Sequence, residues 1–97
     1  MNLNSYVKKA HKVAVDHGWW DSNRSTAEVI MMIVTELAEA VQEYRTNGNS
    51  DKFREEIADT FIRLCDMVGA YDIDIEKEIM KKHEYNKTRP YKHGKRF

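Results

Sequence analysis

Two short acidic words carry the chemistry of this sequence. Glu36-Leu37-Ala38-Glu39 is answered further on by Glu56-Ile57-Ala58-Asp59. Each sets two carboxylates three positions apart. Within a helix, residues at i and i+3 share a face, with Cβ atoms about 5–6 Å apart. Two such pairs on antiparallel helices can gather four carboxylates around hard cations. Mg²⁺ takes oxygen ligands in octahedral geometry, commonly a few carboxylates completed by waters and substrate phosphates. Glu36, Glu39, Glu56 and Asp59 are therefore the candidate ligands for Mg²⁺, with Mn²⁺ as a substitute, and a phosphorylated substrate is the class they point to.

The elements that must position these acids read as four helices. The first is expected over Leu3–His17, where Leu3, Tyr6, Val7, Ala10, Val13, Ala14 and His17 recur at helical spacing. Gly18 then offers the left-handed conformation that ends a helix. His11 and His17 read as packed or solvated residues rather than ligands. Trp19 and Trp20 follow on a short connection, where each ring either covers the core or lines a pocket and stacks on a base. The two are expected to do different jobs.

A second helix is signalled by the capping box Ser25-Thr26-Ala27-Glu28 and runs to about Arg45, before Asn47-Gly48-Asn49. Ile30, Ile33, Val34, Leu37, Val41 and Tyr44 form its expected core stripe. Glu36 and Glu43 lie on the shoulder of that stripe, in line with Val29 and Met32. An acidic strip that continues an apolar one implies acids sheltered by another helix or subunit. The third helix, from Ser50-Asp51 to about Gly69, has Phe53, Ile57, Phe61, Leu64 and Val68 as its expected core stripe. On this helix alone, Glu56 and Asp59 fall with Lys52, Arg63 and Asp66 on a polar side, with Asp59 and Arg63 spaced as an i,i+4 ion pair. The fourth helix is capped by Asp74, carries Ile75, Ile79 and Met80 inward, and stops at Pro90. Lys82, Asn86 and Arg89 share one of its faces and are candidate phosphate contacts. Arg grips phosphate as a bidentate fork, and Lys as a point charge.

Composition bounds the reading. Ninety-seven residues with 41% hydrophobic and 33% charged side chains, one Pro and four Gly describe a single helical domain, residues 1–97. A core this small leaves room for further burial in an oligomer. The formal net charge is zero, which supplies no bulk attraction to nucleic acid or to an anionic membrane. The basic residues concentrate from Lys81 onward, and the short basic tail over about 90–97 is expected either to be disordered or to close over an anionic ligand. One cysteine, Cys65, forms no internal disulfide and suits a reducing compartment. No run is apolar over the roughly 20 residues that span a bilayer, and no signal-peptide pattern opens the chain. A cytoplasmic location is expected. A Gly-rich phosphate loop, a Glu-x-x-His pair and a zinc-spaced Cys/His cluster are all missing from the sequence.

Taken in order, these residues resemble a known family. Glu36-x-x-Glu39 with Glu56-x-x-Asp59, the His17-Gly18-Trp19-Trp20 loop, the Ile62-Arg63-Leu64-Cys65-Asp66 continuation and the Lys82…Asn86…Arg89-Pro90…His93-Gly94 ending are similar to the MazG-like, all-α nucleoside triphosphate pyrophosphohydrolases of the small single-domain type. The resemblance implies a four-helix bundle assembling as a homodimer or as a tetramer built from two dimers. It implies hydrolysis of a nucleoside or deoxynucleoside triphosphate to the monophosphate and pyrophosphate. By carry-over, Glu36, Glu39, Glu56 and Asp59 hold Mg²⁺, Lys82 and Asn86 meet phosphates together with Arg89, and a ring of the Trp19-Trp20 loop approaches the base.

The chemistry that agrees with this is water attack at the α-phosphorus. Metal lowers the pKa of the water, Glu36 or Glu39 accepts its proton, and Lys82 faces the departing pyrophosphate. Two rival readings compete. One is a non-enzymatic helical assembly module, and the other is a hydrolase of a different diphosphate compound.

Overall fold

Side-chain caps set where each helix begins. Asn2 accepts a hydrogen bond from the Ser5 amide and opens α1 (Leu3–Asp16). Ser25 and Glu28 form a reciprocal capping box at α2 (Thr26–Asn47). Ser50 caps α3 (Asp51–Ala70), and Asp74 caps α4 (Ile75–Lys87). Each cap satisfies amides that the first turn leaves without partners. Gly18 and Gly48 take positive φ, 83° and 67°, where the chain leaves α1 and α2, a conformation open to glycine at no steric cost. A short 3₁₀ turn, Tyr91–Gly94, follows Pro90. These elements belong to a computed structural model that describes residues 2–96. Within them the chain is all-helical, with four α-helices and no strand, and no helix is long and apolar enough to cross a membrane.

The third helix is central, with α1 and α2 packed on two of its sides. Toward α1 it presents Cys65 and Val68, which close a small core with Val7 and Ala10, flanked by Tyr6 and Ile75. The approach is close because Gly69 lies there: a Cβ at that position would come within 2.6 Å of the His11 Cβ. Toward α2, the amino-terminal half of α3 buries Glu56, opposite a face of α2 whose buried residues are Val29, Ile33 and Ala40. Tyr44 and Phe53 meet edge to face, centroids 5.2 Å apart, where α2 turns into α3.

The fourth helix is held differently. It packs on α1 and has no buried residue. Its start is tied to the start of α1 by Asn4, whose amide donates to Glu76 at 2.7 Å and whose side chain donates to Asp74 at 2.9 Å, while the Glu76 amide donates back to Asn4. Ile79 and Met80, expected to point inward, are exposed.

The apolar stripes depart from the expectation in an instructive way. Ile30, Val34, Leu37, Val41 and Tyr44 of α2, and Phe61 and Leu64 of α3, face outward. Only Ile33 of the expected α2 stripe is buried; Val29, Ile33 and Ala40 are turned toward α3 instead. The radius of gyration is 16.0 Å, against about 12.5 Å for a compact domain of this length. The accessible surface is 7697 Å², against about 5,800 Å² for a folded monomer of this mass.

Candidate active site

The face that joins α2 to α3 holds the acids. Ligand oxygens of Glu36 from α2 and of Glu56 and Asp59 from α3 lie within 4.8 Å of one another. Glu36 and Asp59 are half-buried, and Glu56 is 6% exposed. Glu39 stands one turn beyond Glu36 and is exposed, at the rim of the group.

Burying acids together without compensation is costly, since like charges in a sheltered site oppose ionisation. Burial lifts the Glu36 carboxyl above its ordinary range, Arg63 pulls it back, and the neighbouring Glu56 and Glu39 lift it further. Glu56 goes the other way: the Lys52 ammonium, 3.2 Å from its Oε1, holds it below the ordinary range against the effect of burial. Its second oxygen, Oε2, is buried and has no hydrogen-bond partner. A buried carboxylate oxygen left without a partner is what a missing cation would explain. Three carboxylate oxygens within 4.8 Å of one another are close enough for one divalent ion to draw all three toward it, and hard oxygen donors suit Mg²⁺ or Mn²⁺. The sequence placed Glu56 and Asp59 on a polar side of α3. That side is the one packed on α2, which is why Glu56 is buried. Arg63 does not pair with Asp59; its Nε donates to Glu36 Oε1 at 2.8 Å.

Beside the acids opens a cavity of ≈ 510 Å³ between α1, α2 and α3, whose lining includes Glu36, Asp59, Arg63, Trp19 and Arg24. Its volume falls in the range of small-molecule sites. The two tryptophans are placed differently. Trp19 borders the cavity with 53% of its surface exposed. Trp20 is half-buried, with Nε1 donating to both oxygens of Asp66, at 2.9 and 3.1 Å. His11 Nδ1 is 2.9 Å from the same carboxylate and its ring stands edge-on to Trp20, while Arg24 lies over the same Trp20 indole, 5.0 Å from its centre. Asp66 thus anchors the loop that carries Trp19.

Asp66→Ala is expected to lower stability by about 1–3 kcal/mol, because the Trp20 N–H is left buried without an acceptor. Asp66→Asn, which keeps an acceptor oxygen, should lose less. Urea unfolding of the two variants checks the order.

Lys82, Asn86 and Arg89 do not border this cavity. Lys82 and Arg89 instead flank the Tyr85 ring, at 4.7 and 5.3 Å, with Lys82 and Asn86 exposed and Arg89 half-buried. The tail up to Arg96 is exposed and reaches none of the acids' cavity; Phe97 lies outside the described residues. The residues that sequence reasoning missed are Arg63, Asp66 and Arg24. Their partners lie on other helices or in the loop before α2, as Asp66 with Trp20 and His11 and Arg63 with Glu36 show, so the pattern of α3 alone carried no signal for them.

No curated protein and no solved structure matches this chain. A family model does, and it corrects the resemblance drawn above: the match is not to the MazG-like pyrophosphohydrolases but to a family described as dUTPase. Paired carboxylates, a Gly-aromatic loop and a Lys–Asn–Arg ending answer to the demands of metal and triphosphate, which any pyrophosphohydrolase faces, so they report a reaction more faithfully than a lineage. The expectation of an enzyme that hydrolyses a nucleoside triphosphate stands under either family. With residues 1–93 covered by that family model, the chain belongs to the dUTPase family and is a nucleotide pyrophosphohydrolase.

Proposed function

We propose that this chain hydrolyses dUTP to dUMP and pyrophosphate at the cavity between α1, α2 and α3, with a divalent cation, Mg²⁺ or Mn²⁺, held by Glu36, Glu56 and Asp59 and with Glu39 at the rim. The observation that carries the reading is the convergence of three carboxylates, among them Glu56, whose buried Oε2 has no hydrogen-bond partner. When bound, such an ion neutralises triphosphate charge and lowers the pKa of a water directed at the α-phosphorus.

The protein's own groups do the rest. Glu36, whose carboxyl is pushed upward by burial, and Glu39 are the groups placed to accept the proton of the attacking water. The apolar wall of Val29 and Ile33 excludes water behind the reacting centre. Trp19, in the lining of the cavity, offers a ring face for the pyrimidine. Lys82, Asn86 and Arg89 meet the phosphates only if α4 approaches the cavity, from this chain or from a second copy.

A second copy belongs to the proposal. The outward apolar stripes of α2 and α3, together with a surface roughly 1,900 Å² larger than a compact monomer of this size exposes, match what an obligate dimer buries. We read the protein as a homodimer.

Incubating the chain with each common ribo- and deoxyribonucleoside triphosphate and separating the products tests the activity. dUMP and pyrophosphate should accumulate fastest, and only with Mg²⁺ or Mn²⁺ present. Release of orthophosphate with dUDP, or turnover unaffected by chelation, would overturn the mechanism; a different preferred nucleotide would overturn the substrate.

A further inference from the structure

Arg63 occupies a place that the proposed reaction does not explain. Its guanidinium donates to Glu36 at 2.8 Å from within a site otherwise made of acids. It also lies 5.7 Å from the centre of the Trp19 ring and borders the cavity. The pair is sheltered, with side chains 31% and 12% exposed, and it spans two helices, so it is not the local i,i+4 pairing that its helix alone would give. Arg63 already holds Glu36 Oε1, so a cation drawn to the cluster competes with it for the charge of Glu36. The same cavity lining includes Lys9 and Arg24, and the Arg24 Nε is buried without a partner. The lining therefore sets carboxylates together with cationic groups that suit an anionic ligand.

We propose that Arg63 is the resident counter-charge of the carboxylate cluster: it neutralises Glu36 while the cluster is without a divalent ion, and on metal loading it leaves Glu36 and turns, along the face of Trp19, to the phosphate groups of the nucleotide. This rests on reading Glu36, Glu56 and Asp59 as the metal site. No bond is made or broken; one ion pair is exchanged for another. Arg63 keeps the sheltered acids tolerable in the empty enzyme, and its release makes a binding group for the substrate appear only after the metal is in place. Order of loading, metal before nucleotide, is then a property of the fold.

The test is calorimetric. Mn²⁺ alone is titrated into wild type, Arg63→Gln and Arg63→Lys; then the non-hydrolysable α,β-imido analogue of dUTP is titrated into each at saturating Mn²⁺. Arg63→Gln should bind Mn²⁺ about fivefold more tightly than wild type, the scale of losing one partly exposed ion pair. It should bind the analogue about tenfold more weakly, the lower end of what outer contacts are worth. Arg63→Lys, which keeps the charge and loses the planar fork, should stay near wild type for Mn²⁺ and fall between the other two for the analogue. A salt bridge that merely positions Glu36 gives the opposite first result, weaker Mn²⁺ binding in Arg63→Gln, and that outcome overturns the proposal, as does unchanged analogue affinity. Wild type that takes up no Mn²⁺ at all overturns the metal site itself, and the two failures are thereby told apart.

Discussion

Glu56→Gln is expected to erase the metal-dependent rise in thermal midpoint and to cut turnover by about 10²–10³-fold, the scale of deleting one preorganised electrostatic contact in an active site, while the metal-free protein melts only slightly lower than wild type. The last clause is the discriminating one. A buried polar side chain normally loses stability when altered. Glu56 differs because its charge sits among Glu36, Asp59 and Glu39, and because Oε2 already lacks a partner. Its one salt bridge is to Lys52, whose side chain is 59% exposed, and exposed pairs contribute little. The fold favours the ionised Glu56, chiefly through Lys52, so removing the charge at constant shape costs a little stability without metal and the whole of the gain on metal binding. Scanning calorimetry with and without Mg²⁺, beside single-turnover assays, measures both halves. A variant that still gains stability from Mg²⁺ as wild type does would remove Glu56 from the site.

Placing Asp at both Val34 and Val41 is expected to convert a dimer into a monomer and to lower the thermal midpoint with it. Both valines are exposed in the single chain, at 45% and 57%, and both lie on the outer stripe of α2. In a two-fold interface each substitution is felt twice. Four valines at about 1.5 kcal/mol each come to about 6 kcal/mol, roughly 10⁴-fold in dissociation constant. Sedimentation velocity over a hundredfold range of concentration reads the change in mass. Wild type that sediments as a monomer throughout, or a variant that stays dimeric, would place the interface elsewhere.

How far the fold was legible follows from what each signal measures. Caps are local chemistry, and Ser25 with Glu28, Ser50 and Asp74 mark helix starts in the sequence as they do in the structure. The apolar stripes were legible as stripes but not as to what covers them. Periodicity shows that Ile30, Val34, Leu37, Val41 and Tyr44 want burial; it is silent on whether the cover comes from the same chain. Here α3 covers the neighbouring face instead, the one bearing Val29, Ile33, Glu36 and Ala40. The acids on α2 were readable because they continued an apolar strip. Those on α3 were not, because a helix packed on two sides has no single polar face, and the 100° wheel applied to it alone sends Glu56 to solvent. Arg63 was misassigned for the same reason: its partner is far away in sequence and near only after α2 and α3 have paired.

The way α4 is attached has a consequence for how the enzyme meets its substrate. A helix with no buried side chain, moored near its first turn by Asn4, Asp74 and Glu76, opens at far lower free energy than the hairpin beside it, in the manner of a separate cooperative unit. Lys82, Asn86 and Arg89 ride on its distal half and just beyond. In the proposed function their grip on a polyphosphate would be assembled at the moment of capture, so that the entropy of ordering that arm would count against affinity and a product with fewer charges would be let go as the arm loosens.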